Sequence, residues 1–228
     1  MYELFIANKN YSSWSLRPWV LMRTLGIPFT ERVEKFPESA PGRTVFLRFS
    51  PSGKVPCMKD GGMVVWDSLA IAEYLAERHQ GVWPADAKAR AFARSAAAEM
   101  HSGFSALRNA CGMNVGIKVK MRAIPDDLAI DLLRLDKLWN DGLEKFGGPF
   151  LAGKDFTNVD AFFCPVAYRV QTYGLTLEPK SLAYVQRLLA LPAMRDWYEA
   201  ALKERWRIER YENDAKAAGE VTEDLRAA

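Results

Sequence analysis

The sequence predicts an α/β unit followed by an all-helical one. Three observations carry this. Between residues 2 and 80, short apolar runs and helical patterns follow the order β-α-β-α-β-β-α. Gly81-Val82-Trp83-Pro84 then breaks the pattern. From Asp86 the composition shifts to alanine-rich, helix-forming segments. The expected organisation is residues 1–80, residues 86–210 and a loosely held C-terminal tail over 211–228.

Taken in order, the run Leu4-Phe5-Ile6 marks a first buried strand over Tyr2 to Ala7. A helix from Ser15 to Leu25 follows and ends at Gly26-Ile27-Pro28. Phe29 to Val33 alternates apolar and polar side chains, so it reads as a second strand, parallel to the first. Pro37 to Arg43 reads as a loop and Thr44 to Phe49 as a short helix stopped at Ser50-Pro51. Cys57 to Lys59 and Met63 to Trp66 form a hairpin about the turn signal Asp60-Gly61-Gly62. Asp67-Ser68 opens a helix to His79 with Leu69, Ala72, Leu75 and Ala76 at helical spacing.

In the second unit, Asp86 to Ala110 is helix-forming throughout, and Gly112 to Ile124 reads as an irregular basic connection. Pro125 to Phe146 places Leu128, Leu132, Leu135, Leu138 and Trp139 on one helical face. Thr157 to Tyr173 is apolar around much of its circumference, the mark of a central buried helix. Leu182 to Leu191 and Pro192 to Glu204 complete the helices.

Composition narrows the function classes. Hydrophobic residues make up 49% of 228, enough for a real core. The net charge of +3 is spread along the chain, which argues against a nucleic-acid surface. No apolar run approaches the roughly 20 residues of a membrane span. The opening Met-Tyr-Glu-Leu-Phe has no signal-peptide pattern, so a cytoplasmic location is expected. Cys57, Cys111 and Cys164 are far apart and form no CxxC pair, which fits a reducing compartment. With only His79 and His101 present, a histidine-rich metal site is excluded.

Three stretches carry chemistry. Ser12, Ser13 and Ser15 lie on the turn between the first strand and the first helix, where unpaired N–H groups and the helix dipole favour an anion. Serine is also a preferred helix cap, and Ser15 suits that role best. Lys54-Val55-Pro56 precedes the third strand; if the Val55–Pro56 bond is cis, the Val55 backbone is exposed to pair with an extended peptide. Asp67-Ser68 offers a second helix amino terminus. There Ser68 and the backbone N–H groups suit an α-carboxylate and Asp67 an α-amine, although an ordinary cap reads the same way.

Together these stretches resemble the cytosolic glutathione transferases. The likeness rests on Ser12-Ser13-Trp14-Ser15-Leu16-Arg17, on Ser50-Pro51-Ser52-Gly53-Lys54-Val55-Pro56, and on Asp67-Ser68-Leu69-Ala70-Ile71-Ala72-Glu73-Tyr74-Leu75. Phe156-Thr157-Asn158-Val159-Asp160 resembles the family's capping box before the buried helix. The serine turn is most similar to the zeta-type, maleylacetoacetate isomerase-like branch, whose run is S-S-C-x-x-R. The resemblance implies a thioredoxin-like domain followed by a helical bundle, usually as a homodimer.

It further implies that reduced glutathione is the co-substrate, held by Lys54, Val55, Pro56, Asp67 and Ser68, and conjugated to a small hydrophobic electrophile. Ser12 matches the first serine of the zeta-type run and is the expected hydrogen-bond donor to the thiolate, with Ser13 second. The electrophile's pocket is expected between the domains, lined by Trp14, His101, Phe104, Ser105, Arg108 and Met113; any of these could equally serve the core. Arg108 and the basic stretch Lys118 to Arg122 suit an anionic substrate or a solvated surface. Two departures from the zeta-type pattern stand out: Trp14 replaces its cysteine, and Thr172 stands where its central helix carries a carboxylate-holding arginine, with Arg169 one turn earlier. The alternatives are a glutathione-dependent isomerase or dehalogenase in catabolism, and a non-catalytic scaffold of the same fold.

Overall fold

A computed structural model describes residues 1–37 and 42–227. Four strands form one mixed sheet in the order β2-β1-β3-β4. β1 (Tyr2–Ile6) runs parallel to β2 (Phe29–Val33), with Tyr2 opposite Phe29, and antiparallel to β3 (Cys57–Asp60), with Phe5 opposite Cys57. β3 pairs in turn with β4 (Met63–Trp66) across the Asp60-Gly61-Gly62 turn. Gly61 sits at φ 57°, where only glycine is unstrained, which is why that turn carries it. Between β1 and β2 lies α1 (Ser13–Thr24), buried from Ser15 through Met22. α2 (Gly42–Phe46) and α3 (Ser68–Ala76) complete this layer. Of the loop expected over Pro37–Arg43, residues 38–41 lie outside the described residues.

The helical part follows as α4 (Ala87–Ser102), α5 (Ser105–Ala110), α6 (Asp126–Phe146), α7 (Asn158–Tyr173), α8 (Pro179–Leu189), α9 (Pro192–Leu202) and α10 (Glu209–Ala218). α7 is buried on every side except at Gln171 and packs against α1, α4 and α8. Its amino end is fixed by Asp160, whose Oδ2 accepts the Thr157 N–H at 2.9 Å, as the Thr157–Asp160 pattern predicts. Asp160 Oδ1 accepts from Leu151 N at 3.0 Å and from the Tyr184 hydroxyl at 2.9 Å. This one buried carboxyl thereby ties α7 to α8 and to the segment after α6.

Three expectations are corrected. The helix predicted over Asp86–Ala110 breaks between Ser102 and Ser105. A Cβ on Gly103 would lie 2.8 Å from the Glu99 carbonyl oxygen, and Phe104 takes a left-handed φ of 52° while burying its ring. The connection over Gly112–Ile124 contains β5 (Ile117–Met121), in which Ile117 and Val119 turn inward while Lys120 faces solvent. Within the tail expected to be loosely held over 211–228, the described residues include regular structure. Most of α10 lies in it, and β6 (Gly219–Asp224) pairs antiparallel with β5. Gly219 permits that pairing, since a Cβ there would lie 2.2 Å from the Lys120 carbonyl oxygen. Burial of Ile117 and Val119 on one face of β5, with cross-strand pairing, is what converts two weakly patterned polar segments into a ribbon.

Candidate functional site

The turn that joins β1 to α1 is wound tightly on itself. Asn8 O accepts from Tyr11 N at 3.1 Å and Ser12 N at 2.9 Å, and Ser13 N donates to Tyr11 O at 3.0 Å. Ser15 Oγ accepts from Ala7 N at 3.2 Å and from Ser12 Oγ at 2.7 Å. Ser15 therefore ties α1 back to the end of β1 rather than capping the helix, contrary to the cap expectation. The Ser12 hydroxyl is 4% exposed and directed at Ser15. Ser13 is half-buried at the first position of α1, and its hydroxyl has no partner among the described residues. The first N–H groups of α1 lie beside it, so a free hydroxyl and a helix amino terminus meet at one point.

The second strand-to-helix junction gathers several polar groups. The Val55–Pro56 peptide is cis, with Pro56 buried and Lys54 exposed beside it. Asp67 adopts φ 71°, a conformation a non-glycine residue holds only when its surroundings enforce it. Its Oδ1 caps α3 by accepting from Leu69 N at 2.8 Å. Ser68 is 1% exposed, and among the described residues its Oγ has no hydrogen-bond partner. A buried orphan hydroxyl costs about 1–3 kcal/mol, and here it lies at a helix amino terminus.

His101 of α4 links the two junctions. Its Nε2 lies 3.5 Å from Asp67 Oδ2, and its ring stands edge-on to Trp14 at 5.0 Å between centroids. Burial lowers its pKa; the nearby Asp67 opposes this, while Arg17 and Arg108 reinforce it, so the ring is neutral at pH 7. Trp14 also carries the Arg17 guanidinium 4.1 Å from its ring centroid and that of Arg108 at 5.5 Å. Arg108 Nη1 donates to His101 O at 3.1 Å.

Arg17 is the unusual member of this cluster. It is 2% exposed and held between the rings of Trp14 and Phe162. Its one bond, from Nη2 to Met100 O, is long at 3.4 Å, and among the described residues Nε and Nη1 have no partner. Burial, with Arg169 and Arg108 nearby, pushes its pKa down to about 9 against the opposing pull of Asp67. Arg169, also buried, donates from Nε to Cys111 O at 2.8 Å, and burial pushes it down to about 10. Three guanidinium groups thus share one region with the half-exposed carboxylate of Asp67.

The fold brings Trp14, His101 and Arg108 together. Phe104 and Met113 are 5% and 3% exposed and belong to the core, and Ser105 faces solvent. Thr172 donates to Asn114 O at 2.9 Å and is buried. Burial raises the thiol pKa of Cys57, Cys111 and Cys164, so each is a poor nucleophile. Sequence reasoning missed Arg17 as a wall of the site. The available signal was its place three residues after Trp14, an arginine within the buried run Ser15 to Met22.

Residues 11–78 match the family model "Glutathione S-transferase, N-terminal domain". A probable maleylacetoacetate isomerase of Caenorhabditis elegans is 26% identical over 178 residues, which cover 73% of this chain and 78% of the relative. A zeta-class glutathione S-transferase of Euphorbia esula is 32% identical over 53% of this chain and 55% of its own length. Among solved structures, a glutathione transferase homologue from a Burkholderia, crystallised with bound glutathione, superposes with a TM-score of 0.64. It is 22% identical, covering 88% of this chain and 97% of that one. At that identity the likeness establishes a shared fold, a thioredoxin-like domain followed by helices.

Proposed function

We propose that this chain is a member of the cytosolic glutathione transferase family that binds reduced glutathione across its two strand-to-helix junctions and conjugates it to a small electrophile. The observation that carries the reading is the buried, unpartnered Ser68 hydroxyl at the amino end of α3, beside Asp67 in its left-handed conformation. In this reading the γ-glutamyl carboxylate takes Ser68 and the first N–H groups of α3, and Asp67 takes the amine. The peptide backbone pairs with Val55 before Pro56, Lys54 meets the terminal carboxylate, and the thiol falls at the serine turn. Residues 1–80 would hold glutathione, and the helices over 86–210 would hold the electrophile. A homodimer in the cytoplasm fits the family.

A thiol of pKa about 8.5 is only about 3% ionised at pH 7. A hydroxyl donor to a charged acceptor contributes roughly 1.5–3 kcal/mol, or about one to two pKa units at roughly 1.36 kcal/mol each. A two-unit drop leaves about three quarters of the thiol as the nucleophilic thiolate. Ser13 is our donor: its hydroxyl is unpledged, whereas that of Ser12 is given to Ser15. Ser12 then shapes the turn. The serine donates a hydrogen bond and is not itself the nucleophile. Attack of the thiolate forms the carbon–sulfur bond; in a substitution the bond to the leaving group breaks and the group departs with its electron pair, and in an addition the pair moves to the electrophile's activated atom, which takes a proton from solvent.

The arginines favour a second reading of the same site, a glutathione-dependent isomerase or dehalogenase whose substrate carries a carboxylate. Arg17, Arg108 and Arg169 leave positive charge in a largely buried wall with little to balance it. The decisive experiment is the ultraviolet thiolate difference spectrum of the protein titrated with glutathione across pH. A saturable thiolate signal below pH 7.5 supports the assignment, and a screen of neutral and carboxylate-bearing electrophiles then separates the two readings. No binding would overturn both and bring the non-catalytic scaffold forward.

A further inference from the structure

The segment that precedes the serine turn is fastened by elements nearly two hundred residues away. Glu204 accepts from Lys9 N at 2.6 Å, from Asn10 N at 3.1 Å and from Asn10 Nδ2 at 3.2 Å. Asn10 Nδ2 also donates to Ala201 O at 2.6 Å, and Trp197 Nε1 donates to Lys9 O at 2.9 Å. Tyr11 is held more tightly still. Its hydroxyl donates to Glu212 Oε1 at 2.7 Å, and its ring stacks on Tyr211 at 4.9 Å. Glu212 is gripped through both oxygens by Arg226, at 2.6 Å and 2.9 Å, and by Asn114 Nδ2 at 3.1 Å.

Arg226 is the centre of this arrangement. Its side chain is 3% exposed, pairs also with Asp224 at 2.7 Å, and lies 3.3 Å from the Tyr11 hydroxyl and from Asn114 Oδ1. A Cβ on Gly116 would come within 2.2 Å of Arg226 Cγ, so the glycine leaves room for the side chain to pass. A buried, bidentate and fully bonded ion pair is a register device: it fixes geometry more than it adds net stability. Here the register it fixes is that of Tyr11, which the two candidate serines, Ser12 and Ser13, follow directly in sequence.

We propose that Arg226, acting through Glu212 and Tyr11, is a positioning residue that sets the serine turn for thiol activation, and that α10 and β6 serve as its clamp. The proposal rests on the reading of the turn as the site that activates glutathione. A hydrogen bond weakens steeply over a few tenths of an ångström, and misplacement of about 1 Å costs on the order of a hundredfold in rate. A clamp that holds Tyr11 therefore governs thiol ionisation without touching thiol, glutathione or electrophile.

The test compares wild type, Tyr11→Phe, Arg226→Met and Arg226→Lys in the full chain by three readouts. These are the pKa of bound glutathione from its thiolate absorbance, the split of kcat against KM, and amide hydrogen exchange over residues 8–16. Arg226→Met is expected to raise the bound thiol's pKa by about one unit, equivalent to about tenfold less thiolate. kcat should fall by about the same factor, with the glutathione Kd within about twofold and exchange in residues 8–12 about tenfold faster. Tyr11→Phe, which removes one oxygen, should reproduce the pKa rise even if Arg226→Met does not fold. Arg226→Lys should recover part of the effect, because it keeps the charge but loses the fork. Lower thermal stability with wild-type thiol pKa and wild-type exchange in the turn would overturn the proposal. If wild-type protein gives no thiolate signal at all, the function proposed above falls. The exchange data then decide the clamp by themselves, and unchanged exchange in both variants overturns it.

Discussion

Ser12 Oγ donates to Ser15 Oγ at 2.7 Å, so the first serine of the turn spends its proton inside the protein. That bond leaves Ser13, and not Ser12, with a hydroxyl free to meet a thiolate. It also explains how one turn accommodates three serines: one closes the turn, one ties it to β1, and one faces outward.

The first prediction follows directly. Ser13→Ala should raise the bound glutathione pKa by about one to two units and lower kcat/KM at pH 7 by roughly ten- to a hundredfold, the loss of one charge-assisted bond. Ser12→Ala should have the smaller effect. Thiolate absorbance at saturating glutathione checks both, and the reverse order would return the donor role to Ser12.

Ser68→Ala separates binding from stability. The hydroxyl has no partner among the described residues, so its removal should leave the melting temperature unchanged or slightly raised. Glutathione affinity should fall about five- to tenfold, the worth of about one hydrogen bond. Calorimetric titration beside a thermal melt is the measurement. A stability loss with unchanged affinity would make Ser68 a structural residue.

Arg17→Met tests the unpaired charge. Exchanging a buried, poorly bonded guanidinium for an apolar chain of similar length should raise thermal stability without ligand. Turnover of a carboxylate-bearing electrophile should fall at least tenfold more than that of a neutral one. Equal losses on both would remove the anion-attracting role of this wall.

Asp160 predicts a pH dependence. Burial raises its pKa to about 6 from 3.8, against hydrogen bonds, among them those from Leu151, Thr157 and Tyr184, that favour the ionised form. The folded chain therefore holds an extra proton between these values. This group's stabilising contribution is full below about pH 4 and is lost as pH rises through about 6. In melts across pH 4 to 7, the stability gap between wild type and Asp160→Asn should narrow as pH rises.

How much of this was legible in the sequence depends on where each interaction lives. The order of the first seven elements, the central helix and its Thr157–Asp160 amino end are written in local patterns: alternation, helical spacing, and turn residues such as Asp60-Gly61-Gly62. The chemistry-bearing positions Ser12, Ser13, Asp67 and Ser68 stood out for the same reason, since helix starts announce themselves by residue type. Nothing local distinguishes Ser12 from Ser13. A bond to Ser15 and the end of β1 does, and it exists only once the turn is wound. Nor does anything near Arg226 in the chain show that a charged, alanine-rich stretch becomes a helix and a strand. Its partners, Tyr11 and Asn114, lie far away in sequence and supply the burial that its own composition lacks. The sequence by itself determined the order of the first seven elements, the central helix and the candidate polar groups. Tertiary structure alone decided which hydroxyl is free, which arginine is unpaired and what holds the turn in place, because each depends on contacts between distant segments that no local spacing encodes.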